Sequence, residues 1–492
     1  FVVMMKGCHY DSRFLRRHLN PHVYAIQESG ELTTDALGRL GKQESTARAL
    51  VDGFKNAKEY GSILQPKVTL AELDALQEQL REVDGASDMG SLTDQLVAGQ
   101  IVNALYPLIE QARMLVQKYD VVVTNPPYMG GSGMNARLSD YVKKYYPDSK
   151  SDLFAVFIER CAQMDKRGGY QAMITQHAWM FLSSFEKLRA KLQLIDTVNM
   201  AHLGARGFDE IGGEVVQTTS FVMRSSHTKG YKGTYCRLID GDSEKAKAEM
   251  FVSGENRYVT EQDNFSKIPG SPVAYWVGNG FISIFSHKET VGTFCYPKQG
   301  LHTGNNDTYL RLWYEVDNRK IMLDDSNLWD NKSIWAKLNK GGYYRKWYGN
   351  REYIILWENN GAAIKNNGRS VGANNTTFLQ NMIGFTDISS RPSFRYYGKG
   401  FVYDVSGPSM INSQRVVSNE YLLGLLNSKI CDKVMDILSP TIHMNQTALS
   451  KMSVVLNNKK EVECLANKNI QFSKSDWDSF ETSWDFKRHP LV

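Results

Sequence analysis

Tyr119-Asp-Val-Val-Val-Thr-Asn-Pro-Pro-Tyr128 is the stretch from which the fold is read. Val121, Val122 and Val123 make a short β-branched run, and Thr124 with the two prolines stops it. Asn125-Pro126-Pro127-Tyr128 therefore sits at the carboxyl edge of a strand, where open α/β sheets bind ligands. Consecutive prolines fix φ and leave their carbonyls free to accept hydrogen bonds. The Asn125 amide oxygen beside such a carbonyl gives two fixed acceptors, enough to hold both hydrogens of an exocyclic amine, while Tyr128 offers a flat face for a base. A base inside a duplex reaches such a pocket only by being flipped out, at a cost of roughly a few kcal/mol. Taken alone, the tetrapeptide is equally explained as a turn that ends a strand.

The segments that follow bear on that choice. Ser151–Arg160 reads as an amphipathic helix with Leu153, Phe154, Phe157, Ile158 and Cys161 on one face, ended by Gly168-Gly169. Tyr170–Thr175 reads as a buried strand and Phe185–Leu192 as the next helix. His202–Phe208 and Val215–Met223 read as a hairpin. In this order the segments resemble motifs IV to VIII of the DNA amino-methyltransferases, and the asparagine form of the tetrapeptide resembles the N6-adenine branch. Further stretches, among them Gly300–Gly304, Leu310–Val316, Arg345–Gly349 and Asp476–Phe486, are similar to one lineage, the adenine-specific DNA methyltransferases of the BREX phage-defence system.

That resemblance implies site-specific methylation of N6 of adenine in double-stranded DNA, marking host DNA, with S-adenosylmethionine as donor. It implies a catalytic Asn125, Pro126 and Tyr128, a base-binding Phe208 on the other face of the flipped base, and Pro127 and Asp152 near the cofactor. Phe208 is also explained as a core residue, and Asp152 as a helix cap. Other proteins of the defence system are implied as partners. The alternatives are a DNA-binding specificity module without catalysis, and part of a fused enzyme that both cuts and methylates.

The implied fold is α/β, a Rossmann-like methyltransferase sheet with an α+β target-recognition domain after it. Residues 1–225 form the catalytic domain, with a helical insertion over about 31–118 read from the three-and-four spacing in Leu70–Leu80 and Leu96–Leu105. Residues 226–275, polar and rich in Gly, Ser and Lys, read as a connection. Residues 276–460 hold short strands such as Tyr353–Trp357 and Phe401–Tyr403, and 461–492 read as the start of a further region. Residues 1 to about 30 read as a helix followed by an extended stretch. A methyltransferase of this motif order needs a glycine-rich turn after its first strand and an acid at the next strand end. Neither precedes Asn125, and Gly130-Gly131-Ser132-Gly133 lies on the wrong side of the catalytic strand and reads as a flexible loop. The chain thus reads as N-terminally truncated.

Composition narrows the classes. The 492 residues suffice for two or three domains. No run of eighteen apolar residues and no signal-like N-terminus occur, so a cytoplasmic protein without a membrane partner is expected. The six cysteines, at 8, 161, 236, 295, 431 and 464, lack metal-ligand spacing, and no metal is expected. A net charge of +5 is compatible with DNA binding. Between Lys337 and Arg351, basic groups alternate with aromatic ones, which suits phosphate neutralisation and stacking; Lys340, Arg345, Lys346, Trp347, Tyr348 and Arg351 are the candidate DNA-binding residues. A solvated hairpin with an aromatic face is the competing account.

Overall fold

The valine run forms β1 (Tyr119–Thr124), hydrogen-bonded in parallel to β2 (Asp165–Gln176) with Val123 opposite Ala172 and Thr124 opposite Met173. Between them run α4 (Ala136–Tyr145) and α5 (Leu153–Met164), after the helices α1 (Glu44–Phe54), α2 (Leu70–Ser87) and α3 (Leu92–Val116). The sheet continues through α6 (Glu186–Leu192), β3 (Asp196–Gly204), β4 (Thr218–Arg224), β5 (Lys232–Arg237), α7 (Glu244–Ser253) and β6 (Arg257–Glu261) in the strand order β1-β2-β4-β3-β5-β6. β3 and β5 are parallel, and β6 runs antiparallel to β5. The computed structural model describes residues 22–492 except 31, 33, 88–90, 209–215, 324–331, 413–415, 440–442, 490 and 492. The helix expected near the start, Cys8, and part of the expected 202–223 hairpin lie outside the described residues.

Contacts divide the chain into two units, one reaching Thr175 and including Val222–Ser226, the other made of Gln176–Phe221 and the residues from His227 on. In the first, the expected helical layer is present. Leu73, Leu76 and Leu80 of α2 and Ile101, Leu105, Leu108 and Ala112 of α3 recur at helical spacing and share one buried cluster with Leu50 and Phe54 of α1. Each such side chain contributes about 1.5–3 kcal/mol on burial. α3 starts on Ser91, whose side chain accepts from the Asp94 amide.

In the second unit, two further sheets follow. One has the order β14-β10-β11-β8 with β9 beside β10, the other β13-β12-β15-β7, where β7 is Tyr296–Lys298, β8 Leu310–Leu312, β9 Ile321–Met322, β10 Trp335–Asn339, β11 Tyr353–Leu356, β12 Met382–Phe385, β13 Phe394–Gly398, β14 Phe401–Tyr403 and β15 Ser409–Ile411. Helices α8 (Asn419–Leu426), α9 (Lys429–Leu438) and α10 (Lys459–Trp477) complete it, and Leu422, Leu426, Val434, Ile470 and Trp477 share its core with Ile383 and Phe385. Among the described residues no helix is long and apolar enough to cross a membrane.

Two expectations need correction. Residues 226–275 form β5, α7 and β6 instead of a connection, because the alternation of Gly233, Tyr235 and Cys236 with polar neighbours makes a half-buried strand. Helix α5 is buried nearly all round, not on one face, and it ends at Met164, so that Gly168 and Gly169 lie within β2.

Candidate active site

At the end of β1 the tetrapeptide alternates in exposure: Asn125 and Pro127 face solvent, Pro126 is buried and Tyr128 half-buried. Pro126 anchors the turn. The Asn125 side chain makes no hydrogen bond to the described residues and is available as an acceptor. The Tyr128 ring stands edge-on to Phe154 of α5, centroids 6.2 Å apart, so its orientation is fixed by packing. Its hydroxyl is buried without a hydrogen-bond partner among the described residues, and burial raises its pKa. A hydroxyl left so costs about 1–3 kcal/mol.

What holds the loop is the start of α5. Asp152 is the N-cap, accepting from the Phe154 amide at 3.4 Å, and the same oxygen accepts from the Met129 amide at 3.0 Å. Leu153 N–H donates to the Met129 carbonyl (3.0 Å) and Gly131 N–H to the Ser151 carbonyl (3.1 Å). Gly130 bridges to Asp152 in antiparallel fashion, so Gly130–Gly133 is a tied turn, not the flexible loop expected. Burial raises the Asp152 carboxyl above the ordinary carboxylate range, against the lowering effect of the amides it accepts from.

Arg160, near the other end of α5, is 6% exposed. Its guanidinium donates to the carbonyls of Leu64 (3.0 Å), Leu115 (2.7 Å) and Ser62 (3.3 Å), in the segments flanking α2 and at the end of α3. The helical layer is thereby bolted to the helix whose first turn latches the tetrapeptide. Nothing local in the sequence marks Arg160 for this, since its acceptors are main-chain atoms 45 to 98 residues away.

Phe208 is half-buried in the turn after β3, in the second unit. Gly204 (φ 69°) and Arg206 (φ 55°) turn the chain there, and a β carbon on Gly207 would stand 2.6 Å from the Thr218 hydroxyl at the start of β4. The sequence reading missed two features in this unit. His177, directly after β2, and His202, in β3, share a hydrogen bond of 2.8 Å. The Lys247 ammonium of α7 donates to the carbonyls of Leu203, Leu238 and Gly241 at 2.6–2.9 Å.

The candidate DNA-binding stretch is brought together, but inward. Lys340 pairs with the buried Asp404 at 2.8 Å. Arg345 pairs with Asp476, donates to the Tyr348 carbonyl and lies over the Trp477 ring. Lys346 donates to the Asn427 carbonyl at 3.0 Å and faces Asp432 at 3.4 Å. Arg351 donates to the Tyr396 carbonyl at 2.6 Å and stacks on Tyr348, itself 5% exposed. Trp347, at φ 75°, exchanges main-chain bonds with Phe394 and Tyr396. These groups form a structural knot, because distant carboxylates and carbonyls already satisfy their charges; only Tyr343 and Tyr344 of the stretch stand well out, 93% and 52% exposed.

Residues 48–203 match the model of the Eco57I restriction-modification methylase family. The whole chain aligns at 36% identity with the adenine-specific methyltransferase PglX of Lacticaseibacillus casei (strain Zhang), and at 36% with the adenine-specific methyltransferase BrxX of Escherichia coli O9:H4 (strain HS). It spans 42% of the length of each. Among solved structures, the Type IIL restriction-modification enzyme MmeI in complex with DNA aligns over 76% of this chain and 51% of its own, with 11% identity and a TM-score of 0.49. A nuclease-deletion mutant of the Type ISP enzyme LlaGI with a DNA substrate mimic aligns over 93% and 53%, at 11% identity and a TM-score of 0.45. Backbone likeness of that degree decides nothing about chemistry.

Proposed function

The chain is related along its whole length to the adenine-specific methyltransferases PglX and BrxX, and on that premise we propose that Asn125–Tyr128 is the acceptor site of an enzyme methylating N6 of adenine in double-stranded DNA. The donor would be S-adenosylmethionine, and the product the mark that spares host DNA in a phage-defence system. The observation that carries the reading is an exposed, unbonded Asn125 amide held at a strand's carboxyl edge by the buried Pro126 and by the latch to Asp152.

In that site the Asn125 amide oxygen and the Pro126 carbonyl accept the two hydrogens of the adenine amine. Both bonds hold the nitrogen in one orientation and pull its lone pair away from the ring, toward the incoming carbon. Tyr128, braced by Phe154, supplies the face on which the flipped base rests. The donor is another matter. The described residues ahead of β1 form helices, turns and coil, with no strand, so the strand, glycine turn and helix start that would cradle a charged nucleoside-like donor are not among them. Pro127, Tyr128 and the cap at Asp152 make one wall, and the described residues alone do not fit the donor.

In the active enzyme, Asn125→Ala should abolish methyl transfer while leaving duplex binding within about twofold, because it deletes an acceptor for the amine and no phosphate contact. Loss of DNA binding together with activity would overturn the assignment.

A further inference from the structure

The second unit encloses a cavity of about 590 Å³, within the range of small-molecule sites. On one side lie His177 and His202. His177 Nδ1 meets His202 Nε2 at 2.8 Å, and His202 Nδ1 meets the Tyr275 hydroxyl at 3.1 Å, so each imidazole is fixed in orientation by the next group. Burial holds both uncharged: His177 is pushed down to about 4, and His202, which also feels His177, Arg237 and Lys247, to about 3. Beside them Phe181 and Trp276 give the cavity flat apolar faces, and the Arg237 guanidinium lies 5.5 Å from the Trp276 ring.

The charge is one-sided. Arg237, Arg391 and Lys433 all line the cavity, and none has a carboxylate within 4 Å among the described residues. Asp436 is the one carboxylate among the described lining residues. Arg237 Nε is moreover buried without a hydrogen-bond partner. Asp436 feels Lys433, Arg237 and Arg391 electrostatically, yet the lining still sets three cations against one carboxylate, an excess that favours an anion, and the aromatic faces beside them favour a flat ring. In the 337–351 stretch the same residue types are already satisfied internally; here they are not.

We infer that this cavity takes a nucleotide unit, its phosphate against Arg237, Arg391 and Lys433, its base against Trp276, and His177 as the polar group at the base edge. The inference rests on the methylation reading only for the source of that unit, a DNA strand, as against a free nucleotide.

The double variant Arg391→Gln/Lys433→Gln tests it, since both side chains are exposed and their replacement leaves the core untouched; an unchanged thermal midpoint checks this. With a DNA strand as source, the slope of log K against log salt for a mixed-sequence duplex should fall by about 1.8, roughly 0.9 per phosphate contact. With a free nucleotide as source, that slope stays and calorimetric binding of deoxyadenosine monophosphate is lost instead. Either result supports the site. If neither changes, or if inorganic phosphate binds the wild type as tightly as deoxyadenosine monophosphate does, the inference is overturned. Asn125→Ala separates the two readings: a duplex slope that depends on Arg391 and Lys433 in a protein that never methylates would leave this cavity standing and remove the methyl-transfer assignment.

Discussion

Replacing Asp152 by alanine and by asparagine separates its role as a latch from any role as a charge. The carboxylate accepts two main-chain N–H bonds, from Met129 at 3.0 Å and Phe154 at 3.4 Å. A hydrogen bond to a charged group contributes about 1.5–3 kcal/mol, and the longer one belongs at or below the bottom of that range. Asp152→Ala should therefore weaken the local structure by about 2–3 kcal/mol, which raises hydrogen exchange at the Met129 amide roughly 30- to 150-fold if local opening governs exchange. Asparagine keeps one acceptor oxygen of the same reach. Because burial raises the carboxyl pKa, the fold favours the uncharged form, and Asp152→Asn should speed exchange less than about fivefold. The pH dependence has a fixed sign. With its folded-state pKa above the unfolded value, Asp152 adds stability as pH falls through the folded pKa toward the unfolded one, and adds least above that window. Equal exchange in the Ala and Asn variants would refute the latch. A latch intact in the Asn variant, with methylation lost, would show that the charge serves the reaction.

Tyr128→Phe removes a buried, unbonded hydroxyl and should leave stability unchanged or raise it by about 1–3 kcal/mol while keeping much of the methylation; Tyr128→Ala should lose it, and an inactive phenylalanine variant would point to the hydroxyl as a working group. Arg345→Ala with Lys346→Ala should lower the thermal midpoint, because both cations are tied to distant carboxylates, and should leave the salt slope of DNA binding unaltered; a flattened slope would return that stretch to DNA. The chain as given should show no micromolar binding of S-adenosylmethionine by calorimetry, since the described residues supply only one wall of a donor site. Micromolar affinity would reveal a cradle elsewhere in these residues.

The part of the site legible in sequence is the part made by local chemistry. Three valines and two prolines place a strand end, and the apolar spacing of α2, α3 and α5 places helices, whatever packs on them. Long-range pairing is where reading fails. Arg345 and Lys346 look like free cations because their partners Asp476 and Asp432 lie 131 and 86 residues further on. β5 does not stand out in the sequence because a half-buried strand, Lys232-Gly-Thr-Tyr-Cys-Arg237, has the composition of a linker. The His177–His202 pair has no signature at all, since the two residues meet only through neighbouring elements of the folded unit.

The bolt at Arg160 carries a consequence for how this protein can vary. Its three acceptors are backbone oxygens, which every amino acid supplies, so the bolt itself does not depend on the side chains at 62, 64 and 115; Leu64 and Leu115 need only stay apolar for the buried cluster they belong to, as long as the chain passes through the same points in space. The helical layer is constrained as a shape, not as a text. Substitutions on its outer surface should accumulate without effect. An insertion or deletion that shifts one helix by a single turn would strand a buried cation underneath the Asn125–Tyr128 loop, so tolerance to point changes and intolerance to length changes should coexist in the same hundred residues.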